Sequence, residues 1–118
     1  MIAFALAWPI VAAVLGAGAL QEQAPNRPTF TIVARDHTFT PNRIEVSQDD
    51  LVRITLRSED RPASFAIDAY RIVKRAAAGQ AITFEFRADQ AGTFPFYCNL
   101  TADAVCKDMK GTLVVKGR

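Results

Sequence analysis

Histidine is almost missing from this sequence. The 118 residues include one, His37, so no site that needs two imidazoles can form within a single copy of the chain. There is no Gly-rich phosphate loop, no nucleophile elbow and no His-bearing metal motif. The usual signatures of phosphoryl transfer, serine hydrolysis and zinc catalysis are therefore absent, and no enzymatic activity is expected. Charge of one sign is not concentrated either. Fourteen Lys and Arg against twelve Asp and Glu leave a net charge of +2, with the signs interspersed; a nucleic-acid partner would require a basic stripe. Long helical periodicity is lacking, and the only weak helical candidate is 101–109. Sulfur is scarce as well, with two cysteines and two methionines, but three of those four residues fall close together.

The chain begins MIAFALAWPIVAAVLGAGA, residues 1–19, without a single charged side chain. This reads as an export signal with Ala17-Gly18-Ala19 as the small-residue cleavage site. A retained membrane anchor is the rival, because about 20 apolar residues can span a bilayer. Pro9 and the Gly16/Gly18 pair favour removal. Membrane contact is expected only if the segment stays attached. A polar linker, residues 20–28, follows, and 29–118 form one domain. The expected location is the periplasm or the exterior, where two cysteines meet oxidising conditions and a disulfide is the default fate.

The domain alternates with a period of two. Phe30, Ile32 and Ala34 share one face of 29–34. Ile44 and Val46 do so in 43–47. Val52, Ile54 and Leu56 do so in 51–57, against Arg53, Thr55 and Arg57. Ser64 to Ile67 is extended, Tyr70 to Lys74 is a short strand or one helical turn, and 80–87 alternates Ile82, Phe84 and Phe86 inward. Phe39 is a core plug within the turn-rich stretch 35–42, and Pro41-Asn42 forms a corner. About seven short strands with frequent turns predict an all-β, antiparallel Greek-key sandwich.

The last connection between strands is the unusual one. In GTFPFYCNLTADAVCKDMKGTLVV, residues 92–115, the strand carrying Phe94, Phe96 and Cys98 on one parity leads into a loop that holds Cys106 and Met109. The apolar strand resumes at Gly111. Soft sulfur in such a cluster suits disulfide or copper chemistry.

This pattern resembles the cupredoxins, in particular the copper-binding domain of cytochrome c oxidase subunit II and its small exported relatives. Phe39, Pro41, Ile44 and Val46 match an early family motif. Ser64-Phe65 follows the position of the first His ligand, and Ala78-Gly79, Ala88-Asp89 and Gly92-Thr93-Phe94 match later landmarks. The family loop reads Cys, three residues, Cys, three residues, His, two residues, Met. Here Cys98 takes the first position, Ala102 the second, Cys106 the His position and Met109 the last, without a gap. Ala63 stands where the family has its first His. The resemblance therefore implies a cupredoxin-like sandwich with a degenerate copper site, from a copper-binding and electron-transfer lineage.

Three readings of the loop follow from that resemblance. The family fold holds these positions on a common metal, so Cys98 and Cys106 converge and can form a disulfide. Alternatively, Cys98, Cys106 and Met109 bind Cu(I), making copper the cofactor and a redox or copper-handling protein the expected partner. In the third reading the pair is a redox switch operated by a partner. The chain is then either a Cu(I)-handling protein or a metal-free, disulfide-bonded binding or assembly module that keeps only the fold. His37 lies where the family places no ligand and reads as a surface or edge imidazole. Lys74-Arg75 reads as a solvated face, with a docking patch for an acidic partner as the alternative.

Overall fold

A computed structural model describes residues 26–118. The expected export segment, 1–19, lies outside them, as does most of the expected linker, 20–28. Among these residues nine strands form two sheets: β1 (Thr29–Arg35), β2 (Thr38–Thr40), β3 (Arg43–Ser47), β4 (Leu51–Ser58), β5 (Ala63–Ile67), β6 (Ile72–Ala76), β7 (Ala81–Arg87), β8 (Gly92–Tyr97) and β9 (Lys110–Lys116). One sheet runs β2-β1-β4-β7 and the other β3-β9-β8-β5-β6. The all-β expectation holds, and most strand bounds agree with the apolar alternation to within a residue or two. Tyr70 ends a single 3-10 turn, Asp68–Tyr70, which precedes β6.

The sheets are not purely antiparallel as expected. β1 pairs with β4 in parallel from Thr29↔Arg53 to Ala34↔Ser58. β3 pairs with β9 in parallel from Arg43↔Thr112 to Ser47↔Lys116. The reason is topological. After the β1–β2 hairpin the chain crosses to the other sheet as β3 and then returns, so β4 arrives beside β1 running the same way. Alternation reveals which face of a strand is buried; it says nothing about the direction of the neighbouring strand.

The inward residues of both sheets make one core. Val52, Ile54 and Leu56 are fully buried, as are Ile32, Ile44 and Leu113. Toward one end the filling becomes aromatic. Phe65 and Phe96 have ring centroids 4.7 Å apart. Phe39 lies 5.6 Å from Phe96, and Phe84 lies 5.7 Å from Phe65. Phe39 is thus the plug expected of it. Phe96 and Cys98 share a parity on β8 and the residue just beyond it, as Phe65 and Ala63 do on β5. The aromatic cluster therefore lies one strand step below the sulfur loop.

Close approach fixes Gly111 opposite Phe96 in the β8–β9 ladder. A Cβ there would run into the Phe96 ring and stand 2.6 Å from the Asn42 carbonyl oxygen. Gly111→Ala is expected to destabilise the domain by about 2–3 kcal/mol through overpacking. Urea unfolding measures this, and an unchanged midpoint would rule out the tight ring-on-backbone contact.

Candidate functional site

The chain leaves β8 at Tyr97 and returns in β9 at Lys110. Between them, Cys98 and Cys106 form a disulfide with their Cα atoms 5.2 Å apart. The eight-residue separation is closed by local turn structure. Asp103 Oδ1 accepts the Val105 N–H at 3.0 Å, an Asx-type turn. The Cys106 N–H donates to the Asp103 carbonyl at 3.1 Å. A single 3-10 turn, Cys106–Asp108, then leads to Met109.

Met109 is tied to both cysteines through the backbone. The Cys98 N–H donates to the Met109 carbonyl at 3.1 Å, and the Met109 N–H donates to the Cys106 carbonyl at 2.9 Å. The structure therefore brings all three expected sulfur residues together at the end of the sandwich. They are well enclosed: Cys98 and Cys106 are each 1% exposed, and Met109 is 3% exposed. Ala102 is exposed and stands outside this group.

Residues outside the sulfur cluster hold the loop in place. Buried Ser64 bridges to Asn99: its Oγ accepts the Asn99 N–H at 2.6 Å, and its hydroxyl donates to Asn99 Oδ1 at 2.7 Å. This ties the residue after Ala63 to the residue after Cys98 and fixes the end of β5 against the start of the loop. Arg61 reaches Asp103 at 3.5 Å. The Val105 N–H bond, with the Arg61 guanidinium adding to it, holds the Asp103 carboxyl below the ordinary carboxylate range. On the loop's other flank the Tyr97 hydroxyl donates to Asp68 Oδ1 at 2.9 Å, and that bond raises the phenol above its ordinary value. The Asx turn at Asp103 had a local signal in the sequence, an Asp two residues before the amide it binds. The Ser64–Asn99 bridge joins residues 35 apart and had none.

His37 lies on the β1–β2 turn with φ 60°. It is half-buried, and its Nε2 is enclosed without a hydrogen-bond partner among the described residues. It is thus less exposed than the surface or edge imidazole expected. Among the described residues no hydrogen bond joins it to either cysteine.

A family model described as a cupredoxin-like domain matches residues 4–115. The chain belongs to the cupredoxins. Cytochrome c oxidase subunit 2 of Thermus thermophilus is 27% identical to this cupredoxin over 100 residues, a stretch covering 85% of this chain and 74% of that protein. A chain from a haem–copper terminal oxidase dimer superposes with a TM-score of 0.70 at 18% identity, covering 89% of this chain and 78% of the other. Auracyanin A, a blue copper protein of Chloroflexus aurantiacus, superposes with a TM-score of 0.66 at 17% identity, covering 77% of this chain and all of the other. At these identities the structural likenesses establish the shared fold.

The fold is therefore one that copper proteins use, and the donor set decides whether copper fits here. A blue copper site takes two imidazoles, a thiolate and a weak thioether. This cupredoxin has one histidine, His37, so that site does not fit within a single copy of the chain. Among the described residues no group of three or more His, Cys, Asp and Glu could hold a metal ion. In the disulfide form both sulfurs are spent on each other. Opened, Cys98, Cys106 and Met109 would present two thiols and a thioether, a soft set that suits Cu(I) in kind.

Proposed function

We propose that this cupredoxin is an exported, periplasmic or secreted protein that handles Cu(I) under redox control. With the disulfide closed it holds no metal. With the disulfide reduced, Cys98, Cys106 and Met109 become the ligands. The observation that carries this reading is the bonding contact between the two sulfurs that occupy family ligand positions, with Met109 tied by backbone hydrogen bonds to both.

The chain's own chemistry is a thiol–disulfide exchange. A partner dithiol gives up two electrons and becomes a disulfide, while Cys98 and Cys106 become thiols. Both must then lose their protons to act as ligands, so uptake of the metal releases protons and weakens as the medium becomes acidic. Copper bound to such a set would be stabilised as Cu(I), since no imidazole is present to favour Cu(II). The buried Ser64–Asn99 bridge and the Asp103–Val105 turn do not depend on the sulfur bond. They keep the loop near its closed shape once it opens. The expected partner is a redox or copper-handling protein that supplies the electrons or the metal. Support for export comes from residues 1–19, which read as a signal, and from a disulfide that an oxidising compartment preserves.

A metal-free, disulfide-bonded binding or assembly module is the second reading. It is favoured by the almost complete burial of both sulfurs, which suits a permanent clamp. Titration of the purified protein against a chromogenic Cu(I) chelator separates the two. The reduced protein is expected to withdraw one Cu(I) per chain, and the oxidised protein and reduced Cys106→Ser none. If the fully reduced, folded protein withdraws none, the copper reading fails and the module reading stands.

A further inference from the structure

The two sulfurs of the disulfide do not have equivalent surroundings. Cys106 Sγ receives the Leu100 N–H at 3.1 Å. Among the described residues, Cys98 Sγ has only the Ser64 hydroxyl within reach, at 3.6 Å. That hydroxyl has one proton and a better acceptor in Asn99 Oδ1, at 2.7 Å. A backbone N–H aimed at a sulfur stabilises negative charge there, and this matters most for the sulfur that leaves as a thiolate. Cys106 is the sulfur so equipped.

Access differs in the same sense. A cleft of ≈ 360 Å³ opens beside the loop, lined by Tyr97, Cys98, Leu100, Asp103, Ala104 and Lys107 among others, and Cys106 is not part of its wall. Lys107 and Ala104 are exposed, and Val105 next to them is 38% exposed. Both cysteines are 1% exposed, but only Cys98 borders this cleft, so the approach to it is the shorter one. The Lys107 ammonium at the rim places positive charge where an anionic thiolate would approach.

We propose that thiol exchange at this disulfide is directional: the incoming thiolate of a dithiol partner attacks Cys98 Sγ, and Cys106 leaves. The new bond joins the partner sulfur to Cys98 Sγ. The Cys98–Cys106 bond breaks, and its electron pair stays on Cys106 Sγ, which faces the Leu100 N–H. The partner's second thiolate then attacks the partner sulfur in the mixed disulfide and releases Cys98 as a thiolate. The sum is two electrons from the dithiol to the protein and a disulfide left on the partner. Cys98 is thus the entry sulfur and Leu100 the positioning residue. The assignment rests on the reading that the bond opens in use, not on whether copper follows.

The test maps the intermediate. The oxidised, folded protein is mixed with excess glutathione, trapped with N-ethylmaleimide and analysed by peptide mass spectrometry. Glutathione on Cys98 with maleimide on Cys106 is expected in about tenfold excess over the reverse. Leu100→Pro, which removes the N–H, is expected to bring that ratio toward parity while circular dichroism stays native. Lys107→Gln is expected to slow exchange with glutathione but not with neutral 2-mercaptoethanol. Wild-type adducts on Cys106, or equal amounts on both, overturn the proposal whether or not the variants fold. A native disulfide that does not react with either thiol also overturns it. Such a result leaves the copper reading to be judged separately, by Cu(I) titration of protein reduced in denaturant and refolded.

Discussion

Opening the Cys98–Cys106 bond is expected to cost the domain about 2–3 kcal/mol, because closure of so short a loop removes that much entropy from the unfolded chain. The bond joins residues eight apart. For a domain of this size the loss lowers the melting temperature by roughly 10–20 °C. The structure also indicates which part responds. Cys98 and Cys106 belong to the buried core cluster that contains Phe39, Phe65 and Phe96, so the packing most affected is at the loop end of the sandwich. The β1–β4 and β4–β7 ladders belong to the other sheet, not the one whose β8 and β9 carry the loop. Circular dichroism should therefore remain that of a β-protein while the urea midpoint falls. Cys98→Ala with Cys106→Ala should match the reduced wild type. Replacement with Ser should be worse by about 1–2 kcal/mol where the new hydroxyls find no partner. Equal urea midpoints for oxidised and reduced protein would mean that the bond does not clamp the loop.

This expected loss bears on function through local stability. A loop held only by its cross-link would unravel on reduction and present no organised ligands. Here the Ser64–Asn99 bridge, the Asx turn at Asp103 and the two backbone bonds to Met109 are made by atoms other than the two sulfurs and are expected to survive reduction. Reduction is then expected to soften the loop without dispersing Cys98, Cys106 and Met109. That is the condition under which a redox event can expose a soft metal site.

The sequence made the strand faces readable because every long strand alternates. Val52, Ile54 and Leu56 could be placed inward from spacing alone, and the structure buries all three completely. β2 was invisible because a three-residue strand with one inward side chain, Phe39, shows no period. The direction of β4 relative to β1 was equally hidden, since chain direction depends on the crossover through the other sheet. At the site, the cluster of Cys98, Cys106 and Met109 stood out as a local excess of sulfur at a family spacing. The choice between disulfide and metal did not, because one set of side-chain positions serves both chemistries. The supports were least legible of all. Ser64 meets Asn99 only because β5 lies beside β8 in the sheet.

The largest gain of function is expected from putting imidazoles back. Ala63→His combined with Cys106→His breaks the disulfide, frees the Cys98 thiolate and supplies two imidazoles, with Met109 as the weak thioether. The scaffold is arranged for this. Ala63 is a buried residue at the start of β5 on the inward parity of Phe65, and its neighbour Ser64 is hydrogen-bonded to Asn99, the residue after Cys98. The site at 63 is filled with core, so a larger ring there should cost the metal-free variant about 1–3 kcal/mol from overpacking, added to the loss of the cross-link. Binding to the folded state alone recovers stability in proportion to the logarithm of metal concentration over the dissociation constant, about 2.7 kcal/mol at a hundredfold excess. Cu(II) should therefore raise the melting temperature of the double variant and turn it intensely coloured through thiolate-to-copper charge transfer. Wild type and Ala63→His alone, with the disulfide intact, should stay colourless. A double variant that folds and still shows no colour with Cu(II) would mean that the ends of β5 and β8 do not converge as the Ser64–Asn99 bridge requires, and that the loop has lost the geometry of a copper site along with its imidazoles.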